Sequence, residues 1–236
     1  MASPSVARRT SRTAVETDDV VMLRAAEMAA WAQKNAKAVI IAAALLVGAL
    51  GAVIYYRMYS AQRAERAATA FLNVQATMRS DTAAATRQLE TFASNYDGTS
   101  EAAEARIMSA QLWLAKGDAN KAAAAVRPAA DGGTPVKEQA RMVLASALAA
   151  GGKRAEAIDT YLSVAKGTKL AYLKQDALGQ AAALREQGND WKGAVELYQQ
   201  AIATTEENTS DRAILELRLS EAQAHAGLPV SVPAPK

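Results

Sequence analysis

Cysteine is absent from the 236-residue chain, and histidine occurs once, as His225. Without cysteine the chain cannot form disulfides, thiolate nucleophiles, cysteine-based zinc sites or iron–sulfur clusters. A Ser-His-Asp relay or a cage of several histidines would depend on that one imidazole, whose neighbours Ala224 and Ala226 offer it no partner. The composition therefore predicts a protein that is not an enzyme and that uses no cofactor or metal.

Aromatic residues are also scarce, at 5% of the chain, although hydrophobic residues make up 50%. Most of the difference is alanine, which occurs 58 times. Alanine has the highest helix propensity and little preference for strands, so the composition predicts an all-α protein with closely packed helices. The net charge of +3 is spread along the chain, and phosphate-binding loops are absent, so we expect neither a nucleic-acid partner nor a small-molecule substrate.

One run of uncharged residues, 38–56, is long enough to cross a membrane. As a helix it would measure about 28 Å, close to the thickness of the hydrocarbon layer. Basic and aromatic residues flank the run, as is typical of membrane interfaces. These predicted membrane-interface residues are Trp31, Lys34, Lys37, Tyr55, Tyr56 and Arg57. A cleaved signal peptide is the alternative, since Ala49 and Gly51 form a small-x-small pair, but the long leader before the run favours a retained transmembrane helix.

The orientation of this helix is weakly encoded, because basic residues are equally frequent within about 20 residues of its two ends. Over the whole leader, basic residues outnumber acidic ones, and a large downstream domain translocates regardless of its own charge. We therefore expect the N-terminus in the cytoplasm and the C-terminal domain on the outer side of the membrane.

The rest of the chain divides into segments of different composition. Residues 1–17 lack apolar periodicity and are expected to be a disordered leader, whereas 18–37 are expected to form a juxtamembrane helix. Residues 57–226 carry the folded part. The tail 227–236 holds three prolines and is expected to be disordered.

The folded part repeats a pair of helices. In its clearest unit, 140–165, Gly152 marks a turn, and Ala157 and Tyr161 follow on the second helix. A small residue at Ala157 lets the two helices approach each other, and glycine can adopt the positive φ that ends the first helix. Equivalent small residues recur at intervals of 37, 35 and 37 positions, at Ala85, Ala122, Ala157 and Ala194.

These intervals are close to the 34 residues of a tetratricopeptide repeat (TPR), so we predict a TPR-like α-solenoid of about four helix pairs. The first pair is degenerate, with Leu72 as one of its packing residues, and the fourth has one extra residue between Gly188 and its small alanine. The segment 211–226 is expected to be a capping helix with a polar outer face. An irregular alanine-rich bundle with accidental periodicity is the alternative.

Two stretches that follow the single N-terminal span resemble a known family. They are FASNYDGTSEAAEARIMSAQLWLAKGD at 92–118 and GKRAEAIDTYL at 152–162. With them the chain resembles the YfgM-type ancillary subunit of the SecYEG translocon. Tyr96, Asp97, Gly98 and Thr99 are its most family-like residues, and Thr99 or the next residue can cap the helix that follows. The resemblance implies a single-pass protein of the bacterial inner membrane, with a cytoplasmic N-terminus and a periplasmic C-terminal domain. This domain would be a scaffold that binds translocon subunits and periplasmic chaperones.

Partner contacts are expected on the first helices of the repeats, which line the concave face of a TPR solenoid and suit an extended or helical peptide. By their offset from the turns, the predicted contact residues are Ile107, Gln111, Leu114, Met142, Ser146, Asp176 and Gln180. In the alternative interpretation, Ile107, Leu114 and Met142 complete the core. The alternative function is a fixed structural subunit of another large membrane complex, respiratory or photosynthetic.

Overall fold

The computed structural model describes residues 22, 24, 26–78, 82–206 and 209–230. Throughout these residues the protein is helical and contains no β-strand, which confirms the predicted all-α class. The helices are α1 (Ala36–Met78), α2 (Thr82–Asn95), α3 (Ser100–Ala115), α4 (Ala119–Asp131), α5 (Lys137–Ala150), α6 (Arg154–Gly167), α7 (Ala171–Gln187), α8 (Trp191–Ala203) and α9 (Ser210–Ala226). A helical stretch at 26–34 precedes α1. The predicted leader 1–17 and the end of the predicted tail lie outside the described residues.

The chain divides into two compact units, Met1–Ser60 and Ala61–Lys236. The first unit contains the apolar part of α1, which is long and apolar enough to cross a membrane, and none of this stretch is buried within the protein. All six predicted membrane-interface residues are exposed to the surroundings. The second unit contains the buried core, which begins at Ala67.

Short turns join the first and second helices of the last three pairs, and each contains one residue with positive φ. That residue is Gly117, Gly152 and Asn189 in successive pairs, with φ of 77°, 77° and 59°. In every case it lies five residues before the small alanine of the second helix. The extra residue after Gly188 is therefore accommodated by moving the left-handed position to asparagine, which tolerates this conformation better than most residues.

At the starts of α3, α4, α8 and α9, a capping side chain satisfies a backbone N–H group that has no partner within the helix. The Asp118 carboxylate accepts a hydrogen bond from the Lys121 N–H at 3.0 Å, and the Asp190 carboxylate accepts one from the Gly193 N–H at 3.0 Å. At the start of α3 the Thr99 hydroxyl accepts from the backbone of residue 102 at 3.2 Å. Of the two capping residues the sequence offered there, the structure uses Thr99.

The small alanines occupy equivalent places in the fold. Ala85, Ala122, Ala157 and Ala194 are each the fourth residue of the second helix of a pair, and none exposes more than 1% of its surface. The residue one turn later is also buried in every pair, namely Leu89, Val126, Tyr161 and Tyr198. The helices of a pair can approach closely because alanine fills little space at the contact, and the larger residue then fills the space beside it. The repeat predicted from these alanines is thus confirmed.

In the first helix pair, the residue of α1 that packs against Phe92 is Phe71 rather than the expected Leu72. Leu72 is 66% exposed, whereas its neighbour Phe71 is buried and stacks on Phe92 with ring centroids 5.3 Å apart. Phe92 in turn contacts Tyr96 at 4.9 Å. The prediction for Leu72 was wrong because this pair departs from the repeat pattern, and the larger Phe71 takes the buried side of α1.

Consecutive helices from α2 to α9 pack against one another, and the first helices of neighbouring pairs also touch: α3 contacts α5, and α5 contacts α7. The capping helix α9 buries Leu215, Leu219 and Ala222 against the rest of the solenoid. Its outer face differs from the polar surface predicted for it, since Ile214 and Leu217 are 59% and 57% exposed.

Candidate partner-binding groove

A groove of ≈ 470 Å³ lies between α7 and α9. Its walls combine apolar and polar side chains from the two helices, and α8 contributes the floor. The side chains that matter for binding are Tyr172, Asp176 and Gln180 of α7, Tyr198 of α8, and Ile214 and Arg218 of α9. This mixture of apolar area with a few polar groups is typical of sites that bind a peptide or a small ligand.

Tyr198 is 2% exposed and is one of the groove-lining residues. Burial, followed by the negative charge of Glu186, raises the pKa of Tyr198 above its ordinary value, so the phenol stays neutral. Tyr161 is the equivalent residue of the preceding pair; burial raises its pKa as well, and its hydroxyl lies 2.8 Å from the Ser146 hydroxyl. Both tyrosines are therefore buried structural residues of the second helices.

The polar groups of the groove are held by hydrogen bonds within their own helices. The Gln180 side-chain amide donates to the Asp176 carboxylate at 3.2 Å on α7. On α9, Arg218 pairs with Glu221 at 3.4 Å, and both side chains remain more than half exposed. Because these pairs are solvated, the groups can change partner at small cost when a ligand binds.

The seven predicted contact residues fall into three groups. Asp176 and Gln180 line the groove, and Gln111 is exposed on α3. The apolar members are partly buried and pack against the core, as the alternative interpretation expected of Ile107, Leu114 and Met142. Ser146 is partly buried too and is occupied by hydrogen bonds to the Met142 carbonyl and to Tyr161.

Sequence reasoning missed Tyr172 and Ile214, the two exposed apolar residues of the groove, which are 62% and 59% exposed. Tyr172 directly follows the start of α7, outside the offsets counted back from the turn. Ile214 belongs to the segment that was assigned to a polar cap. A helical projection of 210–226 would have revealed it, since Ile214 lies off the side that carries Leu215 and Leu219.

Two tryptophans of the solenoid make structural contacts. The Trp113 indole N–H donates to the Glu90 carboxylate at 2.8 Å, and the Lys121 ammonium lies 4.4 Å from the Trp113 ring centroid. Trp191 stacks on His225 with centroids 4.2 Å apart, so the single histidine does have a partner, a ring rather than a hydrogen-bonding group. Among the described residues, no group of three or more His, Asp or Glu side chains is arranged to hold a metal ion.

Residues 29–224 match the family model of the tetratricopeptide repeat-like domain. The chain belongs to this tetratricopeptide repeat-like family. Members of the TPR-like class are scaffolds for protein–protein interaction, and the exposed groove of this chain is consistent with that use. No curated protein sequence matches the chain.

Two solved structures show the same fold. The kinesin light chain nearly identical TPR-like repeats of Podosopora anserina align over 70% of this chain and 88% of theirs, with a TM-score of 0.55 and 17% identity. The MamA protein aligns over 70% of this chain and 85% of its own, with a TM-score of 0.54 and 16% identity. At this level of identity the likeness extends to the TPR-like architecture alone.

Proposed function

We propose that this TPR-like protein is a membrane-anchored adaptor that binds protein segments on its first helices, with the α7–α9 groove as the main binding site. Residues 38–56 form the anchor, and residues 57–226 form the periplasmic binding domain. The adaptor serves as an ancillary subunit of the Sec translocon and links export to periplasmic chaperones.

The observation that carries the binding role is the exposure of Tyr172 and Ile214 in a groove whose rim is polar. An exposed aromatic and an exposed aliphatic side chain supply area that becomes buried when a partner docks. Asp176, Gln180 and Arg218 supply hydrogen-bonding groups that orient it. A helical or extended peptide with apolar side chains on one side fits such a groove.

The membrane anchor is supported by the apolar stretch of α1, which has no protein partner in the described part of the chain. A helix that is apolar on every side is stable only where protein or lipid surrounds it. Tyr55 and Tyr59 stack with centroids 6.4 Å apart at the end of this stretch, where aromatic rings accumulate at membrane interfaces.

The assignment to the translocon follows from the resemblance of 92–118 and 152–162 to the YfgM-type subunit, together with the order of leader, span and TPR-like domain. Affinity purification of the tagged full chain from membranes extracted with a mild detergent tests it. Translocon subunits and periplasmic chaperones should be recovered in varying ratio to the chain. Recovery at fixed stoichiometry with a respiratory or photosynthetic complex would contradict the assignment and favour a structural subunit.

The same purification tests the groove. Tyr172→Ala removes an exposed side chain that carries little folding energy, so we expect an intact protein that recovers several times less partner. Leu72→Ala is the matched control, because Leu72 is also exposed, at 66%, but lies in the first helix pair away from the groove. Equal loss of partner in both variants, or no loss in either, would exclude the groove as the binding site.

The orientation has its own test, which is protease treatment of intact spheroplasts. We expect the C-terminal domain to be digested from outside while the leader is protected. Protection of the C-terminal domain would place it in the cytoplasm and exclude a role with periplasmic chaperones.

A further inference from the structure

Exposed large apolar side chains of the solenoid are concentrated in the last part of its sequence. Among the described residues from 61 onward, all such side chains except Leu72 lie beyond residue 169. They are Leu170, Tyr172, Ile214, Leu217, Leu228 and Val230. Of these, Ile214 and Leu217 are exposed side by side on one helix, and adjacent exposed apolar side chains mark an interaction surface.

The centre of this surface is the outer face of α9. Exposed residues recur there at alternating intervals of four and three positions, at Ser210, Ile214, Leu217, Glu221 and Ala224. This is the spacing of a seam between two packed helices, with apolar residues at its middle and smaller or polar residues at its ends. The face is separate from the Leu215 and Leu219 side, which packs into the core of its own chain.

The charges beside the seam favour an antiparallel orientation of the partner helix. Asp211 and Arg218 are exposed, lie two turns apart on one side of α9, and stand on either side of Ile214. If two copies of α9 run antiparallel, Ile214 of one lies opposite Leu217 of the other, and Asp211 of one comes near Arg218 of the other. A parallel pair would place these flanking residues of the two copies on opposite sides of the seam, so Asp211 of one copy would not meet Arg218 of the other.

We propose that the outer face of α9 is a self-association surface, on which two copies of this chain pack their last helices antiparallel. The contact is isologous, since the same residues serve both copies with their roles exchanged. Arg218 keeps Glu221 as its partner within the helix and gains Asp211 of the second copy as another carboxylate. A single helix pair is smaller than the roughly 1,200 Å² of most stable complexes, so the dimer depends on protein concentration.

Ile214 belongs both to this surface and to the α7–α9 groove. A partner that covers Ile214 in the groove therefore removes one of the two central apolar residues of the dimer. Self-association and partner binding compete for this side chain, and an unoccupied chain is the one that dimerises.

The natural absence of cysteine makes disulfide cross-linking a direct test. Two full-length chains with different tags, one with Ile214→Cys and one with Leu217→Cys, are co-expressed, and their membranes are mildly oxidised. We expect a mixed disulfide dimer in clear excess over the roughly twofold yield, relative to each same-variant dimer, that random pairing gives. The antiparallel register places these two positions opposite each other. Leu72→Cys is the control, exposed to 66% at a distant site, and should give no dimer.

The charge pair is tested in the same cross-linking background. Asp211→Arg in one of the two tagged chains should lower the yield of mixed dimer about threefold, the effect of one exposed ion pair, and adding Arg218→Asp in the other chain should restore it. Restoration separates the pair from general damage to folding. The proposal is overturned if the mixed dimer is no more abundant than the Leu72→Cys background, if same-variant dimers dominate, if the thiols link to another protein, or if the double exchange fails to restore the yield.

Discussion

The small alanine at the contact between paired helices supports a quantitative prediction. Ala157 is fully buried in the core of the second unit, and Ala157→Leu adds three carbon atoms there. With space available, burial of these atoms would stabilise the fold by about 0.8 kcal/mol for each carbon. In a closely packed helix contact they instead displace neighbouring side chains or backbone, which costs about 1–3 kcal/mol. We therefore expect Ala157→Leu to lower the free energy of unfolding by that amount.

The matched control is Ala155→Leu, two residues earlier on α6 at an exposed position. The substitution adds the same atoms with nearly the same helix propensity, so its effect should stay within about 0.5 kcal/mol. Urea unfolding of the full chain in mild detergent, followed by circular dichroism at the helix band, measures both values. Equal unfolding free energies for the two variants, or a gain for Ala157→Leu, would refute the argument that tight helix contacts select alanine at this position.

Three further predictions concern single polar contacts. Tyr161→Phe removes the hydrogen bond to Ser146 and should lower the unfolding free energy by about 1 kcal/mol at neutral pH. Because burial raises the pKa of Tyr161, the unfolding free energy of the native chain should also decline as the pH rises above 10.0, the ordinary pKa of tyrosine. Urea titrations across the alkaline range should show a smaller decline in the variant. Thr99→Ala removes the cap of α3 and should lower the unfolding free energy by about 1 kcal/mol, whereas Ser100→Ala, beside it, should change little; similar losses would show that the cap is not specific. Glu90→Ala removes the carboxylate that accepts a hydrogen bond from the fully buried Ser109 hydroxyl of α3, so the unfolding free energy should fall by about 1–3 kcal/mol. An unchanged urea midpoint would contradict this.

The repeat was predictable because its signal is steric and local. A small residue at Ala122, Ala157 and Ala194 is needed wherever two helices touch, and a residue able to adopt positive φ is needed five positions earlier. In the fourth pair Asn189 takes the place of glycine and still adopts a positive φ, at 59°. The spacing of these positions therefore predicts the helix pairs even where the residue type at the turn varies.

The packing of the first pair and the lining of the groove were harder to predict from the sequence, because both depend on which side of a helix faces the core. Leu72 and Phe71 are adjacent in sequence and equally apolar, and only packing against Phe92 selects one of them. Ile214 lies next to the buried Leu215, and the segment reads as an amphipathic cap until its faces are resolved in three dimensions. Of the predicted contact residues, Asp176 and Gln180 reach the groove because their polarity kept them out of the core.

The stack of Trp191 on His225 joins the first residue of α8 to the last turn of α9, and Trp113 sits far earlier, on α3. The two indoles thus act as separate optical reporters. The third tryptophan, Trp31, would be replaced by phenylalanine. In that chain the emission of Trp191 follows the release of the last helix, and the emission of Trp113 follows the unfolding of the early repeats. Because each repeat of a solenoid contacts only its neighbours, such a chain can reveal whether unfolding starts by fraying at one end or proceeds as a single step.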